Sequence, residues 1–514
     1  MRDAPFARLS ARARAGAAAL AGGAMALAQP PLGLWPAFFI AGPILYLLWL
    51  AAGAAPRPGR AAFITGWAAG AAHFALALHW IVEPFLVDAA RHGWMAPFAL
   101  LGLCGGLALF WGAGFWLAWR LRRLVAGPLA LAAAWAAAEF ARSCVLTGFP
   151  WALPVYGWME TPLAQAGALI GPYGLSFLTL AAMLAPGALL VRPRAAAPAL
   201  LTLPALAGLW IWGAARVPAE TADAARPLIR ILQTDVDQAS KWDPERVKPG
   251  FDRLIALSTA PAETPPAVIV WPESAITFPI DMAPTARAAI HAALGDSALA
   301  LGSLRADAGP DAPVKIGARW RNSLFLLEED AISPPYDKVH LVPFGEYLPF
   351  SALFTRIGLS ELAGPGGGIV AGARHVSMRP EAAPPFAPLI CYEMIFPRET
   401  ARAAKGADWL ILVTNDAWFG NWAGPAQHLA MARMRAIETG LPVARSANRG
   451  WSAMIDPYGR AIGRIGLGRD GVIDARLPDS PEAPPYFEQG ELITTFMICA
   501  ALLFSTQSRR RDDS

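Results

Sequence analysis

Charge is scarce in this chain. Of its 514 residues only 16% are Asp, Glu, Lys or Arg, against 55% hydrophobic ones, a balance too apolar for an ordinary soluble protein. The net charge is +4, and the placement of the arginines described below accounts for it, which leaves no reason to invoke nucleic acid. Lysine is rare, with five in the chain. Histidine numbers seven, and His73 and His79 share an apolar stretch with no Cys, His or carboxylate cluster around them, so both read as packing or polar contacts rather than metal ligands. The run Gly364-Pro-Gly-Gly-Gly368 has no Lys-Ser/Thr after it, which excludes a phosphate-cradling loop. Cysteine is limited to four. Cys104, Cys144 and Cys499 fall in or at the ends of apolar stretches, so Cys391 stands alone in the more polar part of the chain, where it has no disulfide partner.

What the chain has in quantity is long apolar runs. Stretches of spanning length lie near 13–28, 34–54, 61–82, 94–119, 126–145, 163–191, 196–216 and 489–507, each close to the ~20 residues that cross a bilayer. Eight transmembrane helices are expected, although the first also fits a cleavable signal peptide ending at Ala26-Leu27-Ala28. Arginine sets the orientation, because basic residues in short loops stay on the cytoplasmic side. Arg2, Arg8, Arg12 and Arg14 precede the first stretch. Arg57 and Arg60, then Arg120, Arg122 and Arg123, then Arg192 and Arg194 fill every second loop, and Arg509 to Arg511 follow the last stretch. Residues 218–488 are thereby expected outside, in the periplasm of a Gram-negative cell. The expected domains are 1–217 with seven helices, 218–488 outside the membrane, and 489–514 with the eighth helix and a basic tail. Glu139 and Arg142, spaced i,i+3, can pair on one helix face, where a structural role competes with a functional one. Trp151 and Trp158 are expected at the outer interface, where amphipathic rings prefer to sit.

Past Pro218 short apolar strands alternate with more polar helical segments, the pattern of a layered α/β domain. Strands are expected at 228–235, 267–274, 298–304, 322–328, 386–391, 409–413 and 443–447, with helices at 244–260, 284–294 and 425–438. Cys391 closes the buried strand that begins at Phe386, where groups project from the carboxyl end of a sheet. It is a candidate nucleophile, with a structural core cysteine as the alternative. Glu273 stands just beyond the strand Val268-Ile-Val-Trp-Pro and suits a general base; a solvated loop Glu is the other reading. Lys338 reads either as a surface lysine or as a compact ammonium that lowers a thiol pKa and steadies an oxyanion.

Glu273 in Trp-Pro-Glu-Ser, Lys338 in Asp-Lys-Val-His-Leu-Val-Pro-Phe-Gly-Glu-Tyr and Cys391 in Ile-Cys-Tyr-Glu resemble the Glu-Lys-Cys triad of the nitrilase superfamily. The chain as a whole, including Leu146-Thr-Gly-Phe-Pro-Trp151, Gly171-Pro-Tyr-Gly-Leu-Ser176 and Thr414-Asn-Asp-Ala-Trp-Phe-Gly420, resembles the apolipoprotein N-acyltransferase family. The resemblance implies a polytopic α-helical membrane domain of eight transmembrane helices joined to an α/β nitrilase-like α-β-β-α sandwich. It implies a two-step acyl transfer from a phospholipid, through a thioester on Cys391, to the α-amine of a diacylglyceryl-modified apolipoprotein. Glu273 would be the base, and Lys338 with the backbone N–H of Tyr392 the oxyanion donors. Glu346 and Glu393 match further family positions and would orient Lys338 or the amine. Trp418 would line a lipid entrance, with plain packing as its alternative. The resemblance calls for no cofactor, metal or nucleic acid.

Two rivals differ in class. A tethered amidase or nitrilase would pass the acyl group to water, but a soluble substrate has no need of the helical platform. A transporter with an inert outer domain would string polar residues along several spans, and apart from Glu139 and Arg142 the stretches carry few. The orientation is testable by reporter fusion. A reporter after Ser514 is expected in the cytoplasm and one inserted near Gly309 outside; both on one side would overturn the arginine-based topology.

Overall fold

The computed structural model describes residues 5–122, 127–191, 193–219, 223–307, 319–329, 331–350, 356 and 368–512. Arg123, Arg192 and positions 364–367 of the glycine-rich run lie outside the described residues. The chain forms two compact units. The first comprises Met1–Pro218, Trp422–Glu438 and Ala483–Ser514, and the second Ala219–Asn421 and Thr439–Glu482.

The first unit is helical: α1 Ala11–Ala26, α2 Pro36–Ala51, α3 Pro58–Ala77, α4 Ala96–Leu121, α5 Pro128–Arg142, α6 Gly167–Val191 and α7 Thr202–Arg216. Small residues let these helices approach closely. A Cβ on Gly42 would stand 2.2 Å from the carbonyl oxygen of Met183 on α6, so only glycine allows this contact, as in many membrane helix pairs. The count of spans differs from the eight expected. Among the described residues four helical stretches are long and apolar enough to cross a membrane: Pro36–Ala54, Ala89–Leu121, Pro162–Val191 and Ala196–Arg216. A fifth is reached if Pro58–Ala77 and His79–Leu86, bent by 66°, form one broken span. The shortfall is one of length. α1 has 16 residues and α5 has 15, or roughly 24 Å at ~1.5 Å per residue against a hydrocarbon core of ~30 Å.

Several polar groups of α3 to α5 pair with one another. Glu139 accepts from Trp111 Nε1 and from Arg142, whose guanidinium also donates to the Phe149 carbonyl and lies over the Phe74 ring. His73 stacks on Trp111, with centroids 4.9 Å apart, and the Nδ1 of His79 faces the Leu76 carbonyl. Trp151 and Trp158 are only 1% and 2% exposed, buried within this unit. Their indole N–H groups are the reason: Trp158 donates to Thr179 Oγ1 at 2.8 Å, and Trp151 donates to Gln427 at 2.7 Å.

In the second unit, β1 Leu228–Gln233, β2 Val268–Val270, β3 Ala298–Ala306, β4 Trp320–Glu328, β5 Ala331–Ile332 and β6 Tyr336–Asp337 belong to one sheet. β7 Phe386–Ile390, β8 Trp409–Asn415, β9 Val443–Asn448, β10 Ser452–Ile455 and β11 Ala461–Ile465 form the other, and β12 Gly471–Arg476 returns to pair with β1. β1, β2 and β3 run parallel, as do β7, β8 and β9. Alternation divides the side chains. Ile229, Ile231, Val268, Val270, Leu324 and Leu326 pack with Ile390, Trp409, Ile411 and Val413 of the other sheet, while Ile269, Trp271, Leu299, Leu301 and Phe325 pack with the apolar faces of α8 Pro244–Ser258 and α9 Pro284–Leu294. α10, Pro397–Ala403, follows the turn after β7. The strands and helices expected from sequence are present with small shifts at their ends. β5, β6 and β10 to β12 are additional: β5 and β6 have two residues each, β11 and β12 are half-exposed strands carrying Gly, Arg and Asp, and β10 has only four residues, so none presents an apolar run.

α11, Ala423–Thr439, belongs to the first unit up to Glu438, as does α12, Leu492–Asp512. Gln427 of α11 is a fully engaged amide. Its Oε1 accepts from Trp80 and Trp151, and its Nε2 donates to the Pro30 and Ala77 carbonyls at 3.1 and 3.0 Å. Gln427→Leu removes this acceptor and both donors, and at about 1–3 kcal/mol per buried group we expect a loss of about 3 kcal/mol or more, read as a lower thermal midpoint in detergent. An unchanged midpoint would show that the amide is dispensable.

Candidate active site

The carboxyl ends of the two parallel strand sets supply the site. β2 ends at Val270, Trp271 buries its ring and donates to Ser258 Oγ, and Pro272 turns the chain so that Glu273 leaves the sheet. The turn runs so close to β3 that a Cβ on Gly302 would stand 2.8 Å from Glu273 Cα. Glu273 is buried and held at both oxygens. Its Oε1 accepts from Asn322 Nδ2 at 2.7 Å, and its Oε2 accepts from the backbone N–H of Asn415, at the end of β8, at 2.8 Å.

Lys338 follows β6, and its N–H donates to the Asn322 carbonyl of β4. Its side chain is 1% exposed, with Nζ 2.9 Å from Glu346 Oε1 and 3.7 Å from Glu273 Oε1. Burial alone would lower its pKa, but Glu346 and then Glu273 outweigh that and hold the ammonium above the usual lysine range. Asn322 also donates to Glu346, at 3.2 Å, so one amide joins both carboxylates. Glu346 Oε2 accepts from the Val342 N–H, which fixes the loop.

Cys391 opens a short turn immediately after β7 with φ +52°, the left-handed region, a strained conformation for a residue with a Cβ and one that clusters at functional sites. Its thiol is pushed up first by burial and then by the Glu273 charge, against the lowering effects of Lys338 and of a hydrogen bond with Thr414. At rest it is therefore a neutral thiol beside a carboxylate and an ammonium. Glu393 braces the arrangement. Its Oε2 accepts from the Ile390 N–H at 2.7 Å, and its Oε1 accepts from Tyr336 OH, Val339 N–H and His340 N–H at 2.8, 2.7 and 3.2 Å. The turn bearing Cys391 and the loop bearing Lys338 thus share one buried carboxylate. Burial raises that carboxyl to about 7, against the pull of its donors.

Of the residues singled out in sequence, the structure gathers Glu273, Lys338, Cys391, Glu346, Tyr392 and Glu393 around these loops. Trp418 lies on the turn Asp416–Phe419 that follows β8 and is 38% exposed. Sequence reasoning passed over Asn322, Asn415, Thr414 and Tyr336. Asn322 lies in a strand already read as core, and Asn415 acts through its backbone, which no side-chain pattern reveals. A polar residue inside an apolar strand was the available signal for Asn322.

The two sheets, with a cysteine, a carboxylate and a lysine converging at their strand ends, define a carbon–nitrogen hydrolase type of domain, and residues 229–481 match the Carbon-nitrogen hydrolase family. Residues 21–185 match the Apolipoprotein N-acyltransferase N-terminal domain. Curated relatives named apolipoprotein N-acyltransferase include those of Brucella suis biovar 1, 38% identical over 98% of both chains, and Rhodopseudomonas palustris, 38% identical over 97% of this chain and 95% of that one. The chain belongs to the apolipoprotein N-acyltransferase family. Among solved structures, an amidase from Nesterenkonia sp. is 18% identical, with a TM-score of 0.38, covering 54% of this chain and 98% of that one.

The Glu393 brace predicts a pH dependence. Both carboxylate oxygens accept hydrogen bonds, so a proton on either one sets donor against donor and loosens the brace, and transferase activity is expected to fall as pH drops through about 7. Glu393→Gln should be slow at every pH and lack that limb. A limb that persists in the variant would assign it to another group.

Proposed function

We propose that Cys391 carries an acyl group from a membrane phospholipid to the α-amine of the N-terminal S-diacylglyceryl cysteine of an apolipoprotein. As a member of its family the chain is an acyltransferase of bacterial lipoprotein maturation, in the last step of that process. The roles of individual residues, the identity of the two substrates and the side of the membrane are our reading. The observation that carries it is the buried cluster of Glu273, Lys338 and Glu346 beside the strained turn that Cys391 opens.

In the first half-reaction Glu273 takes the Cys391 proton as Sγ bonds to the ester carbonyl carbon. The oxyanion is held by Lys338 Nζ and the Tyr392 N–H. Collapse breaks the bond to the glycerol oxygen, which takes the proton back from Glu273 and leaves as lysophospholipid, with a thioester on Cys391. In the second, the amine attacks the thioester and loses its proton to Glu273. Collapse forms the amide and expels the sulfur, which recovers the proton. Glu346 orients Lys338, Glu393 positions the two loops, and Trp418 borders the acyl chain. No metal or other cofactor takes part.

We read residues 1–217 and 489–514 as the membrane part and 218–488 as a catalytic domain on the periplasmic face of the inner membrane, on the strength of the arginine alternation. A substrate that is itself a lipid explains why a hydrolase-type domain is joined to apolar helices.

Purified enzyme given phospholipid but no acceptor is expected to release about one equivalent of lysophospholipid in a burst and to retain a hydroxylamine-sensitive acyl group on Cys391. A diacylglyceryl peptide with a free amine should discharge it, because a held amine reacts in an effectively unimolecular step, and an N-acetylated peptide should not. Continuous release of free fatty acid without acceptor, at the rate of transfer, would identify a lipid hydrolase instead.

A further inference from the structure

A cavity of about 480 Å³ opens beside the Glu273 turn, bordered by the end of β1, the start of α8 and residues 274–277. Lys241 lines it. This lysine is 7% exposed, and its Nζ reaches one acceptor, the Glu273 carbonyl, at 3.4 Å. Among the described residues no carboxylate lies within ion-pairing distance of it, although the Glu273 carboxylate favours its charge through space. The acids on the cavity wall are engaged elsewhere. Arg449 pairs with Asp235 at 3.5 Å and also with Asp237. Arg246, the second cation lining the cavity, is 4.0 Å from Asp243 and largely exposed.

A buried ammonium with one long bond to a carbonyl has donors to spare, and leaving a charge buried without a partner is costly. Burial pushes Lys241 down to about 8, against the opposing pull of Glu273, so the ammonium still dominates at neutral pH. The ammonium lines a cavity next to the turn that carries the base.

We propose that this cavity is an anion subsite, contacted chiefly by Lys241, that takes the phosphodiester of the acyl donor. The proposal rests on the phospholipid-donor reading above and deepens it. In a glycerophospholipid the ester to be cleaved and the phosphodiester sit a few bonds apart on one glycerol. The cavity begins at Ser274, the residue after Glu273. A compact ammonium binds phosphate as a point charge and demands no particular orientation, which suits a head group held while its neighbouring ester reacts. Arg246, at the open side, supplies a second cation.

The test uses the full-length enzyme in detergent with two donors, phosphatidylethanolamine and a neutral long-chain p-nitrophenyl ester. Lys241→Met is expected to lower the ratio of kcat/KM for the phospholipid to that for the neutral ester by tenfold or more, mainly through KM, and Lys241→Arg to restore much of that ratio. sn-Glycerol 3-phosphate should inhibit the wild-type reaction with phospholipid more strongly than that with the neutral ester, a comparison that stands even if the Met variant does not fold. Equal losses on both donors would make Lys241 a positioning residue for Glu273 and overturn the subsite, as would an unchanged ratio. Inorganic phosphate as potent as glycerol phosphate would assign the cavity to free anions and overturn it as a lipid site. A wild-type enzyme that acylates Cys391 from the neutral ester but not from phospholipid would overturn the donor reading and the subsite with it, whereas phospholipid turnover with an unaltered ratio overturns the subsite alone.

Discussion

One buried ammonium facing two carboxylates holds this site together. Lys338 lies within 2.9 Å of Glu346 and 3.7 Å of Glu273, and without it two acids tied to the same Asn322 amide would repel each other in a region water scarcely reaches. Breaking a buried ion pair by deleting one partner costs on the order of 3–5 kcal/mol, so the cluster is as much a folding constraint as a chemical device. Its geometry depends on backbone elsewhere. Gly302 lets the Glu273 turn cross β3, and Glu393 ties the Lys338 loop to the turn after β7.

Much of this was legible in the residues. Glu273 and Cys391 each end an apolar run, and the carboxyl end of a parallel strand is where an α/β sheet presents chemistry. Lys338 was legible only through motif resemblance, since an isolated lysine reads as a surface residue. Its burial comes from the pairing of β6 with β4 and from Glu346, eight residues downstream. Asn322 and the Asn415 amide were hidden for a different reason: each becomes meaningful only when two distant strand ends meet. Apolar run length overstated the number of spans, because a run in sequence does not record where a helix starts, bends or stops, as at Leu78, where the helix beginning at Pro58 breaks by 66°. The burial of Trp151 and Trp158 was not legible, because an indole N–H follows its hydrogen-bond acceptor, and both acceptors lie within the helical unit.

The helical unit handles its polar groups in the same way as the site. Glu139 with Arg142, and Gln427 with two indoles and two carbonyls, are local networks whose members find partners in one another. Such networks specify packing, and among the described residues these two do not join into a continuous polar file such as a transport path requires. The rarity of charge in the sequence therefore reflects helices joined mainly by small residues and dispersion, with a few satisfied polar contacts fixing their register.

The burial that pushes the Cys391 thiol toward its protonated form also bears on how it resists oxidation. Disulfide exchange and peroxide oxidation both proceed through the thiolate, and susceptibility follows thiolate character and exposure. A sulfur that gives up its proton only to an adjacent Glu273, with an acyl carbonyl already in place, offers little anion to glutathione, oxidoreductases or peroxide between turnovers. Latency of the nucleophile is in this sense an antioxidant property, conferred without a resolving cysteine or a reducing partner.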